Sequence, residues 1–223
     1  MIYAQSLINM SYLSYLADNY DKILEQADKI NELLKEYKTP QIALEYAKAL
    51  VIVSCKANDY NESLEQANKI NELLKEYQTT EIALEYAQSL FNAICVTDNF
   101  DESLEQADKI NELLKYYKTP EIALVYAKAL VSTANGSNNR NIITSYKTEI
   151  YNLYQEYKTL DFAECYAMIL AILSLNLNDS DKIKNICLAR IDEIKADGFN
   201  SEEIEKMERI INDNLSKKLN DNL

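Results

Sequence analysis

The chain contains no histidine and no tryptophan, and only two glycines and two prolines occur among its 223 residues. Histidine is the commonest metal ligand and the usual proton carrier near neutral pH, and glycine-rich loops hold the phosphates in common nucleotide sites. Without these residues, the usual zinc centres, catalytic triads and nucleotide-binding loops lack their parts. We therefore expect a protein that is not an enzyme and that carries no cofactor and no metal.

The four cysteines show no Cys-x-x-Cys spacing, and two of them, Cys55 and Cys95, lie 40 residues apart. We interpret this pair as small apolar side chains that stay reduced, with a disulfide as the alternative. No apolar run approaches the length of about 18 residues that a membrane span needs, and the N-terminus lacks the pattern of a secretory signal. These features favour a cytoplasmic protein that does not bind membranes.

Acidic residues outnumber basic residues by 36 to 23, which gives a formal net charge of −13. A negative field of this size disfavours attraction to nucleic acid phosphates and to anionic lipids. We therefore expect the partner to be a protein or a peptide rather than nucleic acid.

A sequence repeat is the strongest feature that the chain does have. The segment LEQADKINELLK occupies residues 24–35 and 104–115, and LEQANKINELLK occupies residues 64–75, so that each copy follows the last by 40 residues. A fixed period of about 20 to 50 residues is typical of a solenoid, in which each unit buries its apolar face against its neighbours. Because glycine and proline are rare and 48% of the residues are hydrophobic, the units are predicted to be all-α.

Each repeat is predicted to contain two helices, which we call helix A and helix B. A threonine is placed to cap each helix A, and a Tyr-Ala dipeptide follows it. The capping residues are Thr39, Thr79, Thr119 and Thr159, and the tyrosines are Tyr46, Tyr86, Tyr126 and Tyr166. We interpret the tyrosines as packing residues between helices, with a stacking surface for bases or sugars as the alternative.

Helix B carries the repeated segment and has one apolar face. In the first repeat, apolar residues recur at spacings of three and four, which places them on one side of a helix. They are Ile23, Ala27, Ile30, Leu34 and Tyr37. Asp59 and Asn99 are predicted to start later copies of helix B, with Glu62 and Glu102 completing capping boxes. The charged side, with pairs such as Glu25 and Lys29, is predicted to hold solvated ion pairs rather than a metal or an acid/base pair.

The period predicts a single solenoid over residues 1–223 with five helix pairs and a capping helix. The pairs are predicted at about 2–37, 40–77, 80–117, 120–157 and 160–196, and the capping helix at about 201–217. Gly198 is predicted to end the fifth helix B in a left-handed conformation, and Ser201 to start the capping helix. In the fourth repeat, Asn135 ends helix A early and Lys147 replaces an alanine. In the fifth repeat, the predicted apolar stripe is Ile183, Cys187, Ile191 and Ile194.

From Ala87 the third unit follows the pattern A-x-x-L-x-x-A-x-x-x-x-x-N-F-D-E-S-x-x-x-A, and this pattern resembles the tetratricopeptide repeat. Leu90, Ala93, Phe100, Ser103 and Ala107 match the positions at which that family packs its helices. The period of 40 residues exceeds the family's period of about 34 residues. The resemblance covers residues 1 to about 196, and it is clearest in the second and third repeats.

The resemblance implies a right-handed superhelix whose A helices line a concave groove for a peptide or helix of another protein. The groove positions that it gives include Gln5, Glu45 and Glu85. The candidate partner-binding residues among these positions are Tyr12, Lys48, Ile52, Gln88, Asn92, Lys128, Ser132, Met168 and Ile172. Of these, Tyr12, Ile52 and Ile172 are expected to supply apolar contacts. The polar residues Lys48, Gln88, Asn92 and Lys128 are expected to select the partner. The groove lysines Lys48 and Lys128, together with Lys56, are expected either to contact an acidic peptide or to be solvated.

A structural role is the alternative to partner binding. The first helix is apolar on nearly all sides, with Leu7, Leu13 and Leu16 on different faces. A helix with this pattern expects cover on more than one side. The chain is then a structural or regulatory segment of a larger protein, or a homo-oligomer that self-associates through this helix, with the groove filled by its own chain.

Overall fold

The computed structural model describes residues 2–175 and 181–220, and its regular structure in these ranges is entirely α-helical. The prediction of an all-α protein is therefore confirmed for the described part of the chain. The eleven helices described there are α1 (Ile2–Leu16), α2 (Tyr20–Tyr37), α3 (Pro40–Cys55), α4 (Tyr60–Tyr77), α5 (Thr80–Val96), α6 (Phe100–Tyr117), α7 (Pro120–Asn135), α8 (Arg140–Tyr157), α9 (Leu160–Leu175), α10 (Asp181–Ala196) and α11 (Glu202–Asn220). No described helix is both long enough and apolar enough to cross a membrane.

The helices form two compact units, Met1–Tyr126 and Ala127–Leu223. In the first unit, α1 packs on α2 and α3, α3 packs on α4 and α5, and α5 packs on α4 and α6. In this unit α1, α3 and α5 each contact their own B helix, and α3 contacts both α1 and α5. In the second unit, α9 packs on α8, α10 and α11.

Threonine caps begin three of the A helices. The Oγ1 atoms of Thr39, Thr79 and Thr119 accept hydrogen bonds from the backbone N–H of the residue three positions later, at 3.2 or 3.3 Å. These bonds satisfy N–H groups that the first turn of a helix leaves without partners. The structure thus confirms the helix starts that the threonines predict.

The capping boxes of α4 and α6 differ from the prediction. Asp59 and Asn99 do cap these helices. Glu62, however, accepts from the backbone N–H of Asn58 at 2.9 Å and from the hydroxyl of Tyr20. Glu102 accepts from the hydroxyl of Thr97 rather than from the capping residue. Both carboxylates lie beside a competing donor, the Tyr20 or Thr97 hydroxyl, that the repeat pattern alone does not reveal.

The apolar stripe of helix B is confirmed except at its end. Ile30, Ile70, Ile110 and Ile150 occupy one repeat position and are all 0% exposed. Tyr37 was predicted to continue the stripe, but it is 55% exposed because α2 ends there and the chain turns away. In α8 the buried position is taken by Tyr146, and Lys147 is half-buried. In α10 the prediction for Ile183 is wrong, since it is half-buried while Lys184 is buried beside it.

Burial separates the tyrosines from the first two cysteines. Tyr46, Tyr86, Tyr126 and Tyr166 are all buried, which supports helix packing over a stacking surface for bases. Cys165 and Cys187 are buried as well, and burial raises the pKa of the Cys187 thiol to about 11. Cys55 and Cys95 are exposed and neither forms a disulfide, which supports reduced thiols over the disulfide alternative. They lie at the C-terminal ends of α3 and α5.

The capping helix begins as the sequence predicts. Gly198 has a φ of 91°, and the N–H of Phe199 donates to the carbonyl of Ile194 at 3.2 Å. The hydroxyl of Ser201 then accepts from the N–H of Ile204, also at 3.2 Å. Glycine suits this turn because it has no Cβ to clash in the left-handed region. The helix packs on α9 and α10 and extends beyond its predicted end at residue 217.

Four helices end at residues other than glycine in the left-handed region, a feature that the sequence pattern does not reveal. The backbone N–H of each donates to the carbonyl four residues earlier at 2.8 or 2.9 Å. These residues are Lys38, Gln78, Lys118 and Lys158, with φ between 45° and 52°. Side chains with a Cβ adopt this conformation at a cost of about 1–2 kcal/mol.

Replacing Gln78 with glycine is expected to raise the free energy of unfolding by about 0.5–1 kcal/mol, because glycine has no Cβ to clash in the left-handed region. Part of the gain is offset because glycine also increases the conformational entropy of the unfolded chain. Urea denaturation measures the change. Asn68→Gly, at an exposed position inside the same helix, is the matched control and is expected to lower stability slightly. A Gln78→Gly variant that is destabilised as much as the control contradicts the prediction.

Candidate partner-binding face

The A helices of the first unit share one surface that the B helices do not cover. Its side chains come from positions that recur every 40 residues on α1, α3 and α5. We call it the helix A face, and it consists of Gln5, Tyr12, Glu45, Lys48, Ile52, Glu85, Gln88 and Asn92. Tyr12 is 56% exposed, whereas Lys48, Ile52, Gln88 and Asn92 are half-buried. These five residues are the partner-binding candidates of the first unit. All five therefore reach solvent, and all five belong to the helix A face.

Asn92 joins neighbouring helices within this face. Its side-chain amide donates to the hydroxyl of Ser54 at 2.7 Å, to the sulfur of Cys55 at 3.1 Å and to the carbonyl of Val51 at 3.4 Å. These contacts link α5 to the C-terminal turn of α3. The amide group of Asn92 is therefore committed to the scaffold, although sequence reasoning assigned it to selection of a partner.

Aromatic rings and a lysine form one end of the helix A face. The rings of Tyr12 and Tyr15 stack with centroids 6.3 Å apart. The ammonium group of Lys56 lies 4.6 Å from the centroid of the Tyr15 ring and 2.7 Å from a carboxylate oxygen of Asp18. Lys56 thus has an anion and an aromatic face as partners within the chain.

One buried and one half-buried carboxyl group, those of Glu45 and Glu85, lie near the middle of the face. Glu45 is 7% exposed, and its Oε1 accepts from the ammonium group of Lys48 at 3.1 Å. On the next A helix, burial raises the pKa of Glu85 to about 7; the charge of Lys48 opposes this shift and the charge of Glu45 adds to it. Burial favours the protonated carboxyl because a charge is poorly solvated there. The face therefore contains a group that titrates near neutral pH.

A cavity of about 350 Å³ opens beside Glu45 between α1 and α3. Ile2 and Leu44 contribute apolar walls, and polar groups come from both helices. The full lining is Ile2, Gln5, Ser6, Gln41, Leu44 and Glu45. A volume of this size lies in the usual range of ligand pockets, about 300–1,000 Å³.

The other predicted groove residues belong to the second unit. Lys128 and Ser132 lie on α7, where Lys128 is exposed and Ser132 is half-buried. Met168 and Ile172 lie on α9, with 36% and 9% of their surface exposed. Ile172 offers little surface to a partner because it is packed into the unit, so its predicted apolar contact is not supported by its burial.

The outer face of the B helices repeats the same ion pairs. Lysine and glutamate side chains three or four residues apart approach within 2.5 to 2.8 Å. The pairs are Glu25–Lys29, Glu65–Lys69, Glu105–Lys109, Glu72–Lys75 and Glu112–Lys115. The prediction of ordinary solvated ion pairs is confirmed at these positions. Among the described residues, no group of three or more cysteine, aspartate and glutamate side chains is arranged to hold a metal.

The first helix leaves an apolar surface exposed. Ile2 is 85% exposed, and Leu13 and Leu16 are each 64% exposed. Tyr3 and Met10 add 58% and 46% exposure on the same helix. One side of α1 packs on α2 and α3, and the described residues do not cover its remaining apolar side chains.

The resemblance places Glu45 and Glu85 among the groove positions, but neither was chosen as a partner-binding candidate, and the burial of Glu45 was not predicted. A usable signal was present, because both glutamates stand within otherwise apolar helices, four residues after Gln41 and Glu81 and directly before the buried tyrosines. The equivalent residues of the first, fourth and fifth repeats are Gln5, Val125 and Cys165, so the acidic pair is confined to two helices.

The chain was compared with protein-family models, with curated proteins and with solved structures. None of the three comparisons found a match, so the tetratricopeptide resemblance remains a prediction.

Proposed function

We propose that this protein is a non-enzymatic cytosolic scaffold with a tetratricopeptide-like, right-handed superhelical arrangement. Its helix A face binds a peptide or helix of another protein. The observation that carries the proposal is the contrast between the two faces of the repeat. The B helices α2, α4 and α6 repeat one glutamate–lysine ion pair, whereas equivalent positions on the A helices α1, α3 and α5 hold Tyr12, Ile52 and Asn92.

A repeat array can recognise one particular partner when the side chains at equivalent, partly exposed positions differ from repeat to repeat. A scaffold keeps the residues that pack its helices, such as the isoleucines of helix B, and varies those that meet the partner. The helix A face also combines partly exposed apolar side chains with a small number of polar groups. Such a combination is usual for grooves that bind peptides.

Site-specific crosslinking tests this proposal. A photoreactive amino acid is introduced at Ile52 on the helix A face or, as the control, at Glu72 on the ion-paired face of helix B. We expect Ile52 to crosslink a partner that Glu72 does not. A synthetic segment of that partner is then expected to shift the amide NMR signals of α3 and α5. Identical crosslinks from both positions would reject the helix A face as the binding surface.

The exposed side of α1 supports a second candidate function, self-association as a structural piece of a larger assembly. Apolar side chains as exposed as Ile2, Leu13 and Leu16 lose contact with water when a second copy packs against them. Light scattering over a concentration series is expected to show a dimer that Leu13→Glu/Leu16→Glu converts to a monomer. A wild-type protein that stays monomeric at every concentration contradicts this candidate.

A further inference from the structure

Glu45 is an unusual side chain for the face of a helical repeat because it is charged, buried and only partly paired. Its Oε1 accepts the hydrogen bond from Lys48, but no described residue donates to its Oε2, which is also buried. A buried acceptor without a donor is costly, and the cost is larger for a carboxylate than for a neutral group. A ligand that supplies a donor at this position therefore relieves an unfavourable feature of the chain.

Glu85 adds a second carboxyl group to the same part of the helix A face. The elevated pKa of Glu85, about 7, is caused by burial, and the negative charge of Glu45 contributes to it. The positive charge of Lys48 lowers the pKa of Glu85 and so opposes this shift. When Glu45 and Glu85 are both ionised, the single positive charge of Lys48 does not balance their two negative charges. The three side chains together therefore attract a further cation.

The cavity beside Glu45 has walls that suit a long basic side chain. Ile2 and Leu44 can cover an aliphatic stem, and Gln5, Gln41 and Glu45 add polar side chains with hydrogen-bond acceptors to the lining. Lysine and arginine combine such a stem with a cationic end that only donates hydrogen bonds. An acidic side chain would meet Glu45 instead of a donor.

We propose that the helix A face of the first unit recognises a basic segment of its partner and that a lysine or arginine side chain of that segment binds in the cavity at Glu45, where Glu85 on the next A helix adds negative charge. This inference rests on the proposed function. The net charge of −13 favours the approach of a basic segment as well. Lys48 and Lys56 do not oppose it, because they are paired with Glu45 and Asp18 inside the chain.

Two pools of synthetic peptides test the inference. Both pools have twelve-residue peptides with the same apolar positions, and the polar positions hold lysine and arginine in one pool and glutamate in the other. We expect binders from the basic pool, and we expect them to shift the NMR signals of α3 and α5. The double variant Glu45→Gln/Glu85→Gln is expected to weaken their binding at least tenfold, and Glu85→Gln alone at least threefold.

The double variant Glu72→Gln/Glu112→Gln is the matched control, because it removes the same charge from the outer face of helix B. A control that weakens binding as much as the test variant overturns the inference, since the attraction is then general and not local. Acidic peptides that bind the helix A face as well as basic ones also overturn it, but they leave the proposed function standing. If no peptide of either pool shifts the NMR signals of α3 and α5, both the inference and the proposed function are rejected.

Discussion

Replacing Glu85 with glutamine is expected to raise the free energy of unfolding at pH 8 by about 2–3 kcal/mol and to leave it nearly unchanged at pH 4. Burial raises the pKa of this carboxyl from 4.5 to about 7 in the folded chain. Between these values the folded state binds more protons than the unfolded state, so stability falls as the pH rises. The full cost of the buried charge is present above pH 7, and glutamine removes it.

Urea denaturation of both proteins from pH 4 to pH 8 measures this difference. Glu72→Gln is the control, because Glu72 lies on the exposed side of α4 and its substitution changes the net charge equally. Its effect on stability is expected to stay within about 0.5 kcal/mol. A Glu85→Gln effect that does not depend on pH would show that the carboxyl of Glu85 titrates at its ordinary pKa.

If Glu85 contributes to binding, the substitution that stabilises the chain also weakens its affinity for the partner. Buried, strained or unpaired groups at binding surfaces commonly lower stability while serving recognition. The same substitution is thus expected to stabilise the free chain and to weaken its binding of basic peptides. A structural role alone predicts the first change without the second.

Sequence patterns predicted the helices and their buried faces because the residues that determine them are local and repeated. A threonine cap such as Thr39 and the recurring isoleucines of helix B each depend on spacing along one helix, and spacing is visible in the sequence. The αL residue Gln78 was not predicted because its conformation follows from the tight turn between two packed helices rather than from its own preference. Packing of the repeats imposes the left-handed conformation on a residue that does not favour it.

The binding face was harder to predict because burial there depends on neighbouring repeats. Position 45 of α3 becomes buried only when α1 and α5 pack against α3, and the amide of Asn92 finds its acceptors only when α5 packs on α3. Sequence analysis treated Lys48 and Lys56 as available for an acidic ligand because their partners, Glu45 and Asp18, were not evident from the repeat. The change from an acidic to a basic ligand follows from these two ion pairs.

Ile70→Ala is expected to lower the free energy of unfolding by about 3–4 kcal/mol, since a fully buried isoleucine loses its transfer energy and leaves a cavity. Ile70 is 0% exposed and lies in α4, which packs on both α3 and α5. Ile52→Ala removes the same atoms from a half-buried position of the helix A face and is expected to cost less than about 1.5 kcal/mol. Equal losses from the two variants would contradict the packing assigned to helix B.

The equivalent substitution in the second unit, Ile150→Ala, tests the prediction of a single solenoid over residues 1–223. Ile150 is also 0% exposed. In a repeat array whose neighbours stabilise each other, both substitutions shift one common unfolding transition. Two units that unfold independently instead give two transitions, and each substitution shifts only its own. Calorimetry on the wild type and on the two variants distinguishes these outcomes, because a loss of this size lowers a transition midpoint by several degrees.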